Sequence, residues 1–215
     1  MVYYTAMRFI VTAGPTREHL DPVRFLSNPS TGRMGFAVAR AARAAGHAVT
    51  LVAGPVALKT PPGVRRIDVV SARDMLAAVR AEVADADVLV MTAAVADWRP
   101  ARRAKSKLKK GEMPDTLKLV RNPDILKSMR GPRVRIGFAA ETGLPDAEAA
   151  RKCREKGLDL VVGNDVTRPG SGFGTTTNRV SLVTPDGSVR HLPLMSKLAV
   201  AHRIVAFAER IASDG

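Results

Sequence analysis

With 215 residues, 46% of them apolar, the chain can bury one substantial core, so a single globular domain over 1–215 is expected and disorder is excluded. Lys and Arg number 34 against 20 Asp and Glu, and the resulting +14 charge and pI near 10.8 favour anionic partners: nucleic acid, anionic lipid or small phosphorylated molecules. Only 4% of residues are aromatic, which weighs against stacking on single-stranded nucleic acid; the one cysteine excludes an internal disulfide; and no apolar run approaches the ~20 residues of a membrane span.

The start, MVYYTAMRFIVTAG, has neither a basic flank nor a small-residue cleavage site, so a cytoplasmic protein is expected. Strands are then expected at 8–13, 48–53, 65–70, 87–95, 134–140 and 158–164. Most are near-continuous apolar runs, the pattern of parallel strands buried on both faces. Between them the spacing predicts helices over 32–46, closing on Gly46, over 71–84, opening on Ser71 with Asp74 three residues on, and over 146–157. Cys153 falls in the last of these, in ARKCREKG, a helical and charged context without the marks of a nucleophile. Residues 179–194 read as two strands joined at Pro185-Asp186-Gly187, followed by a closing helix in SKLAVAHRIVAFAERIA. The expected architecture is therefore α/β: a Rossmann-like layered sheet, mostly parallel, with a C-terminal antiparallel hairpin and helices on both faces.

Three long irregular stretches remain, 14–30, 97–115 and 165–178, and two of them directly follow a strand, where ligands gather in open α/β sheets. In TAGPTREHLDPVRFLSNPSTGRMG (12–35) a helix is expected to begin near Ser30 with Gly32 and Gly35 in its first turns, which suits an anion site and equally an ordinary capped helix. Neither GxGxxG nor GxxxxGK[ST] fits the chain. Residues 99–110 carry seven basic side chains and no acid. Extended, they would place Lys105, Lys107 and Lys109 on one side, as on a flexible lid (about 99–114) that orders over a polyphosphate; by composition alone a solvated charge run fits better. Pro123 suits a helix start and Asp124 its first turn, Glu141 suits acid, base or surface, and GNDVTRPGSGFGTTTN (163–178) suits a ligand loop or a plain glycine-rich connection. The four histidines are scattered and offer no metal-ligand spacing, so the metal ligands stay unassigned.

Taken together and in this order, TAGPTRE, LDPVRFLSNPSTGRMG, AAVADW, KLKK, NPDIL, GFAAET, and NDV with GFG closely resemble the phosphopantothenate-cysteine ligase family over roughly Phe9 to Leu194. The resemblance implies a ligation in two steps, in which 4′-phosphopantothenate and CTP form an acyl-cytidylate and L-cysteine then displaces the nucleotide, within coenzyme A biosynthesis. The KLKK and NDV pieces are similar to the CTP-using branch rather than the ATP-using one. Implied with it are Mg²⁺ on the phosphates, a homodimer, no flavin, no nucleic acid or membrane partner, and a stand-alone unit whose decarboxylase is a separate chain.

The family's roles fall on particular residues of this sequence. Asn28 corresponds to the asparagine that stabilises the acyl intermediate, with Ala93, Ala94 and Asp97 beside the same substrate, and Arg24 to an arginine contributed across a dimer interface. Gly14, Ser30, Gly32 and Gly35 correspond to phosphate contacts, and Asp97, Pro123, Asp124, Ile125, Leu126, Phe138, Lys152, Lys156 and Asn164 to further nucleotide contacts. Lys107 corresponds to the lid lysine needed for the cysteine step. Two departures stand out: SNPSTG replaces the commoner form with two serines, a change that keeps a hydroxyl at each place, and Trp98 stands where tyrosine is frequent. A basic nucleic-acid-binding α/β module and a nicotinamide-dependent reductase are the alternatives that charge and fold leave open.

Overall fold

The computed structural model describes residues 5–111, 115–143 and 146–213. Its central strand, β1 (Arg8–Ala13), is buried from Phe9 onward, which is why the segment is apolar without alternation. Two short strands, β2 (Arg17–His19) and β3 (Phe25–Ser27), follow as an antiparallel ribbon, and α1 (Arg33–Ala44) returns the chain to β4 (Ala48–Ala53). β5 (Arg65–Asp68) and α2 (Ala72–Glu82) come next, then β6 (Val88–Met91).

A second ribbon pairs β7 (Trp98–Pro100) with β8 (Leu119–Arg121), ahead of the one-turn helix α3 (Ile125–Ser128). β9 (Val134–Glu141), α4 (Asp146–Lys156) and β10 (Leu160–Asp165) complete the parallel part. β11 (Thr177–Asn178), β12 (Val180–Val183), β13 (Val189–His191) and β14 (Met195–Ser196) then lead into α5 (Lys197–Ser213).

The main sheet has eight strands in the order β13-β12-β10-β9-β6-β1-β4-β5. β5, β4, β1, β6, β9 and β10 run parallel, and β12 and β13 are antiparallel, as the terminal hairpin required. β1 pairs with β4 on one side and β6 on the other, so the order of strands reverses between β1 and β6. A crevice opens at such a switch point, beyond the carboxyl ends of the two strands.

Helices cover both faces. α1 and α5 pack on one, around Phe9, Val11, Phe36, Val38, Ile204 and Phe207. On the other, Met75 and Val79 of α2 and Ala149 and Cys153 of α4 meet Ile10, Leu89 and Val161. Cys153 is fully buried, with its thiol donating to Leu158 O at 3.0 Å, and burial pushes its pKa up to about 11, as expected of an inert core thiol.

Four boundaries differ from expectation for local reasons. α1 begins at Arg33, not near Ser30, because Gly32 is left-handed (φ 77°) and serves as the N-cap. Asp124 is the N-cap of α3 rather than a first-turn residue, accepting from Lys127 N at 3.0 Å, and Pro123 lies outside the helix. The strand expected over 87–95 stops at Met91, where the chain turns away and Ala93 N donates to Thr12 Oγ1 at 3.2 Å. The strand expected over 65–70 stops at Asp68 on the edge of the sheet. The capping box at Ser71 and Asp74 is present as expected.

Candidate functional site

The switch-point crevice is a cavity of about 700 Å³ lined by residues from both halves of the chain. Its floor is built where β1 and β6 end. Ala94 N donates to Gly14 O at 2.9 Å and Thr16 N to Ala94 O at 3.4 Å, extending the parallel pairing by one bridge between Pro15 and Ala94. Thr16 Oγ1 accepts from Ala96 N at 3.0 Å, and Asn28 Nδ2 donates to Ala94 O at 3.0 Å. The last bond orients the Asn28 amide, leaving its second N–H and its oxygen for a ligand.

The α1 end of the cavity presents Ser30, Gly32 and Gly35 with a helix start that has no acid in its first turn and no side-chain cap bond. Its free N–H groups and the positive end of the helix dipole favour an anion. Gly35 is where α1 crosses the sheet most closely: a Cβ there would lie 2.5 Å from both Ala13 Cβ and Thr92 Oγ1.

The opposite face of the sheet supplies Lys152 and Lys156, one turn apart on α4. Lys152 Nζ donates to Phe138 O at 2.5 Å, and Lys156 Nζ pairs with Asp124 Oδ2 at 2.6 Å. Burial lowers the Lys152 pKa, and the charge of Lys156 adds to the effect. Burial alone would raise Asp124, but hydrogen bonds from Lys156 and from Lys127 N outweigh it and hold the carboxyl below its ordinary value. Ala93, Ala94, Asp97, Pro123, Ile125, Leu126 and Asn164 complete the expected residues found in this cavity.

Three expected site residues are placed elsewhere. Gly14 stands behind Ala94 rather than on the cavity surface, with Val56 Cγ1 2.9 Å from where a Cβ would be. Arg24 does not line the cavity; its Nη2 bonds Asp21 Oδ2 at 2.6 Å and Leu108 O at 2.8 Å within its own chain. Lys107 is exposed and likewise outside, because the neighbouring Leu108 is held by Asp21 and Arg24. The stretch 101–111 forms bends and a turn rather than an extended run, and 112–114 of the expected lid lie outside the described residues.

Asp21 is the hub of that latch. Burial opposes its ionisation, but backbone N–H groups of Arg24 and Val23, the Arg24 guanidinium and Leu108 N–H outweigh burial and hold the carboxyl far below the usual range. The latch is therefore complete above the ordinary carboxylate pKa and is lost as pH falls through the depressed one. Asp21→Asn is expected to raise amide hydrogen exchange at Leu108 about tenfold at neutral pH, from loss of a charge-assisted bond. Unchanged exchange there would show that Asp21 does not hold the lid.

Several lining residues had no counterpart in the expected set. Asn178 and Asn164 both reach Ser171 Oγ, at 2.7 and 2.6 Å from their Oδ1 atoms. One hydroxyl proton serves one acceptor, so one of the two amides must turn its NH₂ toward Ser171. Lys197, at the start of α5, is only 7% exposed and donates from Nζ to Gly172 O at 2.9 Å. Burial, then the charge of Arg33, lower its pKa to about 8. A signal for Lys197 existed: with Val200, Ala201, Ile204, Val205 and Ala208 it falls on one buried helical stripe.

The family model for the DNA/pantothenate metabolism flavoprotein C-terminal domain matches residues 4–211. The chain is 46% identical over 202 residues to the coenzyme A biosynthesis bifunctional protein CoaBC of Vibrio vulnificus (strain YJ016), covering 91% of this chain and 50% of that protein. It is also 46% identical over 200 residues to CoaBC of Bacillus subtilis, covering 91% and 49%. It thus spans about half the length of the curated relatives it matches. The crystal structure of the C-terminal domain of CoaBC superposes on it with a TM-score of 0.84 at 40% identity, covering 99% of this chain and 98% of that one.

Proposed function

The chain belongs to the DNA/pantothenate metabolism flavoprotein C-terminal domain family, and from that membership we propose that it is a ligase joining 4′-phosphopantothenate to L-cysteine in coenzyme A biosynthesis. The observation that carries the reading is the Asn28 amide, oriented by Ala94 O at the switch point of a cavity that gathers cations from both faces of the sheet. A triphosphate and a phosphorylated acid bring several negative charges together, and such a surround offsets their repulsion.

In the first step a carboxylate oxygen of 4′-phosphopantothenate bonds to the α-phosphorus of CTP, and the bond to the β-phosphate oxygen breaks, releasing pyrophosphate. In the second, the cysteine amine bonds to the acyl carbon, the acyl–oxygen bond breaks, CMP leaves and the amine loses a proton. Asn28 holds the acyl oxygen region, the start of α1 takes phosphate oxygens, and Lys152, Lys156 and Asn164 lie on the nucleotide side. Mg²⁺ belongs to the same proposal. Among the described residues no group of three or more His, Cys, Asp or Glu side chains is assembled for a metal, so phosphate oxygens would be its main ligands, with exposed Asp97 on the cavity wall as the protein carboxylate open to it. Once bound, the ion would screen phosphate charge.

The test is pyrophosphate release that needs both CTP and 4′-phosphopantothenate and precedes addition of cysteine; absence of release with CTP and with ATP would defeat the reading. Release with ATP alone would defeat only the choice of CTP.

A homodimer is part of the proposal, supported by exposed Val23 and Phe25 at the first ribbon and Trp98 and Leu119 on the second. Cytoplasmic location completes it. No helix among the described residues is long and apolar enough to cross a membrane.

The lid supplies a prediction that separates the two steps. Lys107→Gln is expected to leave acyl-cytidylate formation within about threefold and to slow product formation by about 100-fold, the scale of losing one positioned charge. A single-turnover assay with labelled CTP reads both steps. Failure of the first step with survival of the second would remove Lys107 from the cysteine step.

A further inference from the structure

Lys197 is a buried ammonium that donates to a backbone carbonyl, Gly172 O, and whose charged neighbour is another cation, Arg33. Both line the cavity, where the carboxylates are Asp97 and Asp124, and Asp124 is already paired with Lys156. A smaller recess that Arg33 and Lys197 also border adds Arg40 and Lys59 and, among the described residues, no acid. A buried charge without a counter-ion is costly unless a ligand supplies one.

The loop that Lys197 touches is built rather than slack. Lys197 N donates to Thr176 O at 2.9 Å, Thr177 Oγ1 donates to Gly170 O at 2.6 Å, and Ser171 is held between Asn164 and Asn178. The ammonium is thereby fixed beside the start of α1, whose free N–H groups face the same cavity. Lys197 has two further N–H donors beyond the one that bonds Gly172.

We propose that Lys197, with Arg33 and the first turn of α1, forms a phosphoryl-binding subsite in which Lys197 is the buried cation. The ligand class is a phosphate ester or anhydride. Under the ligase reading, on which the identity of the ligand rests, it is either the polyphosphate of the nucleotide or the 4′-phosphate of phosphopantothenate. The subsite itself does not require that reading.

Calorimetric titration of the full chain with inorganic pyrophosphate tests the subsite without turnover. Wild-type protein is expected to bind, and Lys197→Met to bind at least tenfold more weakly. Arg33→Met, at an exposed position that the fold does not depend on, is expected to weaken binding several-fold with an unchanged melting temperature; it decides the matter if Lys197→Met does not fold. Pyrophosphate affinity unchanged in the folded variants, even with a lowered melting temperature for Lys197→Met, would overturn the proposal and leave Lys197 an anchor for Gly172. Steady-state kinetics then distinguish the sources: a raised KM for CTP alone assigns the nucleotide phosphates, and a raised KM for 4′-phosphopantothenate alone assigns the 4′-phosphate. Lys197-dependent pyrophosphate binding in a protein that ligates nothing would uphold the subsite and reject the ligase.

Discussion

Asn28→Asp is expected to lower kcat/KM for the ligation by about 1,000-fold or more while leaving the melting temperature within a few degrees of wild type. The Asn28 side chain donates to Ala94 O at 3.0 Å. An aspartate of the same shape has no N–H to give, so two oxygens would face each other where a hydrogen bond now holds the side chain. It would also bring a negative charge into a site that must accept a carboxylate and several phosphates. Loss of one positioned donor to a developing negative charge costs on the order of 10²–10³-fold, and the added repulsion acts on top of that. Asn28 is half-exposed on the loop between β3 and α1 and supports no core packing, so the fold should survive. Steady-state turnover with a thermal melt on the same preparation checks both halves. Wild-type turnover would remove Asn28 from the chemistry, and an unfolded variant would make its role structural.

What could be read in the sequence follows the scale of the interaction involved. β1, β4 and β10, the helices α1, α2 and α4, and the terminal hairpin declare themselves because burial on a face imposes a repeat that a few neighbouring residues reveal. The ribbons do not. β2 is Arg17-Glu18-His19, three polar residues whose only burial is Glu18, which accepts from Ala72 N at 2.8 Å across the fold. Nothing local to that segment announces a strand.

The site divides the same way. Motif resemblance reaches Asn28, Asp97, Asp124 and Asn164, which lie in short distinctive segments. It passes over Lys197, which looks like the ordinary start of a helix until its burial is known, and over Asn178, which matters through Ser171 and Asn164. Lys107 shows the converse case: its segment is recognisable, but its position depends on Asp21 and Arg24, more than eighty residues earlier, gripping Leu108.

Gly54 is the extreme instance, and its substitution should have the largest effect on the fold. Gly54 follows β4 and donates from its N–H to Ala13 O at 2.9 Å. A Cβ built on Gly54 would lie 1.8 Å from Pro15 O and 2.9 Å from Pro15 C, both of them backbone atoms. A flexible side chain could swing aside, but a backbone carbonyl moves only with its peptide plane. Gly54→Ala must therefore push Pro15 away from β4, and Pro15 is the residue bridged to Ala94. The displacement would pass to Ala94 and to the Asn28 amide bonded to it. Overpacking of a close backbone contact costs about 1–3 kcal/mol and sometimes more, and a clash this short belongs at the upper end. Urea denaturation is expected to show a loss of about 3 kcal/mol, with ligation falling even in the fraction that stays folded. Because the damage reaches the site through Pro15, Gly54→Ala should also weaken binding of 4′-phosphopantothenate, whereas a core truncation far from the crevice, such as Val205→Ala in α5, should lower stability and leave that affinity alone. Equal stability of Gly54→Ala and wild type would mean that β1 and β4 are not held in the close approach on which the switch-point site is built.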